Sequence, residues 1–163
     1  MIADDVTGVV FDPDGVPAAL PAFPAFRLWR DSLDAFGFPA DPSRRVRPGL
    51  EKYYCPAANF HNQPMAIRSL VILSAHAAPD FAVRHPEGAQ RVSLVSRHVF
   101  RKRFLAGMQM ERDWFSASTA IADRVDVIQI VRPAEGVPPQ ALCDRIVEYL
   151  ESPARAATRL AAP

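Results

Sequence analysis

Proline content is the feature that most constrains how this chain can fold. Sixteen of its 163 residues are proline, about twice the usual share, and nine of them lie within residues 1–64. Because proline fixes φ and has no N–H donor, each one limits the helix or strand around it. Pro13, Pro17, Pro21 and Pro24 are scattered without a repeat, so they predict short extended segments and turns rather than a polyproline linker.

The first half of the chain reads as short strands with one helix. β-Branched residues predict a strand over 6–11 that ends in the turn Asp12-Pro13-Asp14-Gly15. A returning strand over 16–23 is confined to a sheet edge by its prolines. Apolar spacing predicts a helix over 28–36 with Gly37 as its cap. Residues 39–64 are expected to be irregular, and the apolar run over 66–75 predicts a strand that is buried on both faces.

The second half is richer in helix. The longest predicted helix covers 87–105, with an apolar stripe of Val92, Val95, Val99 and Phe100 and with Gly107 just beyond its end. Further helices are expected over 114–124 and 139–151, with a strand over 125–131 between them. The inward residues of the last helix are Leu142, Ile146, Val147 and Leu150. This mixture predicts an α/β class.

Charge and cysteine content exclude several classes of protein. The formal net charge is +1, so no overall field favours nucleic acid or a membrane surface as a partner. Cys55 and Cys143 form no C-x-x-C pair, which is typical of reduced thiols. No run approaches the roughly 20 apolar residues of a membrane helix, and acid stands where a signal peptide carries positive charge. We therefore expect a cytoplasmic protein.

Other familiar sites have no support in the sequence. The four histidines offer no zinc spacing, and no G-x-S-x-G motif of a hydrolase occurs. The two tryptophans and ten phenylalanines are expected in the core or at its edge, with Phe23, Phe26 and Trp29 anchoring the proline-rich turn.

The sharpest local feature is the pair Asp4-Asp5. Adjacent carboxylates at the end of a strand can hold Mg²⁺ through hard oxygen ligands and can polarise a hydroxyl nucleophile. Solvated surface carboxylates are the alternative interpretation of the same two residues.

A basic stretch follows later in the chain, comprising Arg84, Arg91, Arg97, Arg101, Lys102 and Arg103. It fits an anion site for a nucleotide or for an acidic substrate segment. The solvated face of an amphipathic helix is the interpretation that the pattern favours more strongly. Nucleic-acid binding is disfavoured because the stretch lacks interleaved aromatic residues and the chain is near neutral.

Several segments, taken in order, resemble the C-terminal part of bacterial HPr kinase/phosphorylase-like serine kinases, the shorter HPr-kinase-related proteins above all. These segments are Ala3-Asp4-Asp5-Val6-Thr7, Pro21-Ala22-Phe23-Pro24-Ala25-Phe26-Arg27-Leu28-Trp29-Arg30-Asp31-Ser32-Leu33, Val46-Arg47-Pro48-Gly49-Leu50-Glu51-Lys52-Tyr53, residues 67–73, Arg97-His98-Val99-Phe100-Arg101 and residues 125–133. The resemblance covers most of residues 2–151 and depends on order and spacing rather than on one specific motif.

The resemblance implies a fold and a chemistry. The fold is the C-terminal part of a P-loop kinase core of the phosphoenolpyruvate-carboxykinase-like type, with a mixed sheet and flanking helices over residues 1–152 and a frayed tail over 153–163. The activity is transfer of phosphate from ATP, with Mg²⁺, to a serine hydroxyl of a protein or peptide. Asp4 and Asp5 match the family's acidic pair, one as catalytic base and one as metal ligand. Lys52 and Arg101 are candidate phosphate contacts.

One element of such a kinase is missing from the sequence. No G-x-x-x-x-G-K-[ST] motif occurs, because none of the seven glycines precedes a lysine. In the family this P-loop lies upstream of the acidic pair, hence before Met1, so either the start is misplaced or the product is a pseudokinase or remnant. We expect no ATP turnover by the chain alone, an unpaired edge at 67–73, and self-association. The alternative is a non-catalytic module that binds a P-loop chain or a peptide.

Overall fold

The structure is a computed structural model that describes residues 1–76 and 80–152. These ranges contain four α-helices and eight strands in several small sheets, which confirms the mixed α/β class. The chain divides into two compact units. Unit 1 comprises residues 1–72 and 84–129, and unit 2 comprises 73–83 and 130–163. The tail expected to fray, 153–163, lies outside the described residues.

The strands and helices alternate irregularly along the chain. In order they are β1 (Val9–Phe11), β2 (Pro17–Ala19), β3 (Ala25–Trp29), α1 (Arg30–Phe36), β4 (Lys52–Pro56), β5 (Met65–Ala66), β6 (Ser69–His76), β7 (Ala82–Arg84), α2 (Gly88–Arg97), α3 (Glu111–Arg124), β8 (Asp126–Pro133) and α4 (Pro139–Glu151). Short 3₁₀ turns occur at Pro42–Arg44 and Lys102–Phe104.

The predicted hairpin at the start of the chain is present. The Gly15 N–H donates to the Asp12 carbonyl at 2.9 Å, and β1 pairs antiparallel with β2. The predicted edge position of the returning strand is wrong, because β2 lies between β1 and β5. Its one proline, Pro17, is the first residue of the strand, where a missing N–H is tolerated.

An antiparallel ribbon of β3 and β4 follows, and it corrects two predictions. The helix expected from residue 28 begins at Arg30, since 25–29 are extended and pair with β4. Residues 52–56, expected to be irregular, form that partner strand. The predicted cap is confirmed: Gly37 adopts φ +68°, and its N–H meets the carbonyls of the last turn of α1.

The strand buried on both faces is β8, not β6. Val127, Ile128 and Ile130 of β8 are almost fully buried, whereas Leu73 of β6 is 47% exposed. The cause is the sheet order β6-β8-β7, which makes β8 central and leaves β6 at an edge. The Asp126 N–H donates to the Arg68 carbonyl, and the Ala134 N–H donates to the His76 carbonyl. Donor and acceptor are the same number of residues apart in both bonds, so β6 and β8 run parallel.

The core of unit 1 forms where α2 and α3 meet β8. It is built from Val95, Ala122 and Val127, with partly buried Leu70, Ile72, Val92 and Ile121 around them. The predicted helix 87–105 is too long, because α2 ends at Arg97 and Arg101 takes φ +51°. Phe100, placed in its apolar stripe, is exposed.

Two burial expectations are wrong. Val147 of α4, expected to face inward, is exposed, while Leu142, Ile146 and Leu150 are half-buried. Among the described aromatic residues only Tyr53 is buried, and Phe23, Phe26 and Trp29 are exposed. Most of the deeply buried side chains are instead aliphatic, and the branched residues of β8 are prominent among them.

Candidate functional site

The acidic pair is held against β3 by the backbone that precedes it. The Ala22 N–H donates to the Ile2 carbonyl at 2.9 Å, and the His61 N–H donates to the Met1 carbonyl at 2.7 Å. These bonds tie the first residues to the segments before β3 and after β4. Asp4 and Asp5 therefore have a defined place beside the ribbon.

Asp4 is bonded to the main chain of β3. Its Oδ2 accepts a hydrogen bond from the backbone N–H of Arg27 at 2.9 Å, and the Arg27 Nε lies 3.6 Å from the same oxygen. A main-chain donor has no rotamer freedom, so this bond fixes the carboxylate more firmly than a side-chain partner would. The Asp4 side chain is 21% exposed.

Asp5 lies between two cations. Its Oδ2 is 3.1 Å from the Arg27 Nη2 and 3.3 Å from the Lys52 Nζ. The Lys52 side chain is mostly buried, and its ammonium lies 5.5 Å from the centre of the Trp29 ring. The Asp5 side chain remains 48% exposed, so solvent or a ligand can reach it.

The register of the ribbon explains why these residues meet. Arg27 pairs with Tyr54, and Trp29 pairs with Lys52. Side chains two residues apart on a strand share a face, so all four residues project from the same side of the ribbon. The opposite side carries Leu28 and the buried Tyr53.

A pocket of about 250 Å³ opens at the acidic pair. Asp4, Asp5 and Arg27 supply its polar wall, and its apolar wall consists of Val6, Ala22, Phe23, Ala25 and Tyr54. Phe23 and Tyr54 meet edge to face, with ring centres 5.9 Å apart. A second concavity of about 410 Å³ shares Phe23, Ala25 and Tyr54 with the first, and it also contacts Ser43 and Arg44. The acidic pair thus stands at one end of a longer groove.

The structure brings together three of the four residues selected from the sequence. Asp4, Asp5 and Lys52 lie side by side, whereas Arg101 does not line this pocket and instead contacts Phe100 and Phe104. Sequence reasoning missed Arg27, which touches both aspartates. The alternation of Arg27 and Trp29 along the chain indicates that they share a face of a strand. That face can be matched to Lys52 only when the pairing of β3 with β4 is known.

A polar cluster lies on the opposite side of the ribbon, around Tyr53. The Tyr53 hydroxyl donates to Glu51 at 2.5 Å and accepts from Arg45 at 3.0 Å, and Arg45 also pairs with Glu51 at 2.6 Å. The hydrogen bond with Tyr53 is the main cause that raises the pKa of Arg45 above its usual value. The cluster fixes β4 from behind and so supports the placement of Lys52.

A magnesium ion fits this site only together with other ligands. Within residues 1–76 and 80–152 no group of three or more histidine, cysteine or acidic side chains is arranged to hold a metal. Proteins nevertheless commonly supply only one or two carboxylate ligands to Mg²⁺, and phosphates and water complete its coordination shell. Asp4 and Asp5 would supply these two carboxylates. Arg27 and Lys52 lie beside them, where phosphate oxygens could accept their hydrogen bonds.

Comparison of the chain with protein-family models, with curated proteins and with solved structures gives no match. In the part of the chain that the structure describes, no helix is both long and apolar enough to cross a membrane.

Proposed function

We propose that this chain is the C-terminal portion of an ATP-dependent serine kinase of the HPr kinase type, with a phosphoenolpyruvate-carboxykinase-like P-loop core, that phosphorylates a hydroxyl of a protein or peptide. The observation that supports it best is the grouping of Asp4, Asp5 and Arg27 at one pocket, with the Lys52 ammonium beside Asp5. This grouping pairs carboxylates for a metal and a proton with cations for phosphate. The edge position of β6 fits an incomplete sheet.

Each of these residues has a distinct task in the proposed reaction. Asp4, fixed by the Arg27 N–H, orients the acceptor hydroxyl and takes its proton. Asp5, the more exposed carboxylate, holds Mg²⁺. Arg27 and Lys52 turn from Asp5 toward phosphate oxygens when nucleotide is present. Bound Mg²⁺ would neutralise phosphate charge.

The chain alone is expected to be inactive toward ATP. Backbone N–H groups of a G-x-x-x-x-G-K-[ST] loop normally cradle the phosphates, and the sequence has no such motif. Arg27 and Lys52 supply positive charge but no such cradle. ATP and Mg²⁺ therefore require a P-loop from another polypeptide or from a missing N-terminal half.

The test is complementation with a P-loop in trans. The full chain is mixed with the N-terminal half of an HPr-type kinase, cut ahead of its own acidic pair, and γ-phosphoryl transfer to serine is followed with ATP and Mg²⁺. Transfer is expected only in the mixture, and Asp4→Asn or Asp5→Asn should lower it by about a hundredfold or more. Asp31→Asn, an exposed carboxylate of α1, is the matched control. Transfer that survives both asparagine variants contradicts the proposal.

A second candidate is a non-catalytic pseudokinase or interaction module. It is favoured by the ion pairs themselves, because one oxygen of each aspartate already faces a cation. Such a module binds a partner chain or peptide without nucleotide. Capture of the P-loop half with no gain in ATP affinity would support this candidate and exclude the kinase.

A further inference from the structure

A run of three cations lies between α2 and α3. Arg101, Lys102 and Arg103 are consecutive, and no ion pair joins any of them to a carboxylate anywhere in residues 1–76 or 80–152. Like charges at adjacent positions repel one another. Arg101 also adopts φ +51°, a conformation unfavourable for a residue with a Cβ. An anion bound beside the three cations would reduce this repulsion.

Each cation lies over an aromatic ring. The Arg101 guanidinium carbon is 5.1 Å from the centre of the Phe100 ring, and the Arg103 guanidinium carbon is 5.1 Å from the Phe104 ring. The Lys102 ammonium is 4.3 Å from the Trp114 ring. These contacts order the charged groups without neutralising them. We call residues 100–104 together with Trp114 the basic–aromatic surface.

The rings on this surface are exposed rather than packed in the core. Phe100 is 60% exposed, and Phe104 is 46% exposed. Met108 and Phe115 nearby are exposed to a similar extent. Contiguous exposed apolar side chains with charge around them are typical of interaction surfaces. Phe100 and Phe104 directly flank the three cations in the sequence, so the expectation that this stretch lacks aromatic residues is wrong. The fold adds Trp114 to them.

A pocket adjoins the basic–aromatic surface. It measures about 390 Å³ and is lined by Lys102, Arg103, Leu105, Ala106, Glu111 and Trp114. The Trp114 Nε1–H is buried and donates to no acceptor among the described residues. A buried donor without a partner costs free energy unless a ligand or water supplies an oxygen. The pocket has room for one apolar side chain.

We infer that the basic–aromatic surface binds an acidic segment of a protein, with an apolar side chain of that segment in the pocket beside Trp114. Arginine presents planar donors that match carboxylates in pairs, which suits aspartate or glutamate side chains. The pocket accepts one projecting side chain, which suits a peptide better than the flat headgroup surface of a bilayer. The rings are also covered by cations on one face, which leaves them poorly placed to stack on bases.

The inference is tested by fluorescence anisotropy with the full chain. The probe is a fluorescein-labelled glycine peptide in which one phenylalanine stands between two pairs of glutamates. Two control peptides replace the phenylalanine by serine or the glutamates by glutamine. We expect the probe to bind at low salt, both controls to bind about tenfold more weakly, and affinity to fall as salt approaches about 0.15 M.

Charge-matched variants locate the binding surface. The triple variant Arg101→Ser, Lys102→Ser and Arg103→Ser should weaken probe binding by about tenfold or more, since each lost contact is charge-assisted. The triple variant Arg30→Ser, Arg44→Ser and Arg47→Ser removes the same charge from exposed positions elsewhere in unit 1 and should change affinity less than about twofold. Phe100→Ser, compared with Phe36→Ser, tests the apolar part in the same way.

Several outcomes would overturn the inference. They are no binding of the probe at low salt, equal binding of the probe and both control peptides, or equal weakening by both triple variants. Displacement of the probe by phosphatidylserine vesicles or by a single-stranded DNA oligomer at lower concentration than by unlabelled peptide would assign the surface to lipid or nucleic acid instead. The peptide comparisons use the unaltered chain, so they decide the matter even if a variant fails to fold.

Discussion

Arg27 contacts the two aspartates through different parts of the same residue. Its backbone N–H bonds to Asp4, and its guanidinium pairs with Asp5 and lies near Asp4. A substitution at this position removes the charge but keeps the main-chain bond. The position of Asp4 and the electrostatics around Asp5 can therefore be changed separately.

Arg27→Met is expected to lower the free energy of unfolding by only about 0.5–1 kcal/mol, because the ion pairs are partly exposed and the backbone bond remains. Chemical denaturation in urea measures the change. Arg30→Met, which removes an exposed pair with Asp34, is the control and should cost no more. A loss of several kcal/mol at Arg27 would mean that the guanidinium holds the fold together.

The two cysteines are expected to differ in reactivity. Burial raises the pKa of the Cys55 thiol, and nearby Arg44 only partly opposes this. The thiolate fraction of Cys55 is therefore small at neutral pH, and it rises only at higher pH than for an unperturbed thiol. Cys143 is exposed on α4. Iodoacetamide labelling followed by mass spectrometry should modify Cys143 first.

A pH series and a denatured control make the cysteine prediction specific. Because the pKa of folded Cys55 is raised, its alkylation rate should increase most steeply at alkaline pH. In urea the two sites should react at similar rates, since burial is lost. Faster labelling of Cys55 than of Cys143 in the folded chain would contradict the partial burial of Cys55.

At the level of elements, α1 depends on its glycine cap. Gly37 adopts φ +68°, but nothing lies within 4 Å of an added Cβ. Gly37→Ala should therefore destabilise by about 1 kcal/mol through backbone conformation alone. Gly107→Ala is the matched control, because that glycine has no positive φ and its Cβ would meet only the Phe104 carbonyl at 3.7 Å. Equal urea midpoints for both variants would contradict the role of the cap.

Elements specified by local pattern were predictable, and elements specified by pairing were not. The turn at Gly15, the cap at Gly37 and the helix Pro139–Glu151 are all encoded by neighbouring residues. Residues 52–56 have no such local signal and become a strand only by pairing with β3. The same limit applies to the site. The acidic pair is visible in the sequence, but Arg27 joins it only across that pairing.

At the level of the whole molecule, exposed apolar strand edges predict self-association. Val9, Val10 and Phe11 of β1 are each roughly 40% exposed, and β1 lies at the edge of its sheet. An exposed apolar edge is a template for another chain. We expect the sedimentation coefficient to rise with protein concentration, and Val10→Lys to reduce that rise.

The control for association is Val147→Lys, the same change at an exposed position of α4. It should leave association unchanged, because a helix presents no unpaired strand edge. A monodisperse monomer with one sharp cooperative melting transition would contradict both the association and the incomplete-sheet interpretation.

The division of the chain into units also has a consequence for its synthesis. Unit 1 is interrupted by residues 73–83 and is completed only by 84–129. Its core joins Leu70 and Ile72 to Val95, Ala122 and Val127, and Val127 is made last. A nascent chain leaves the ribosome amino end first. Leu70 and Ile72 therefore stay without their core partners until β8 has emerged, so unit 1 folds late in translation and a chaperone has a long interval in which to bind it.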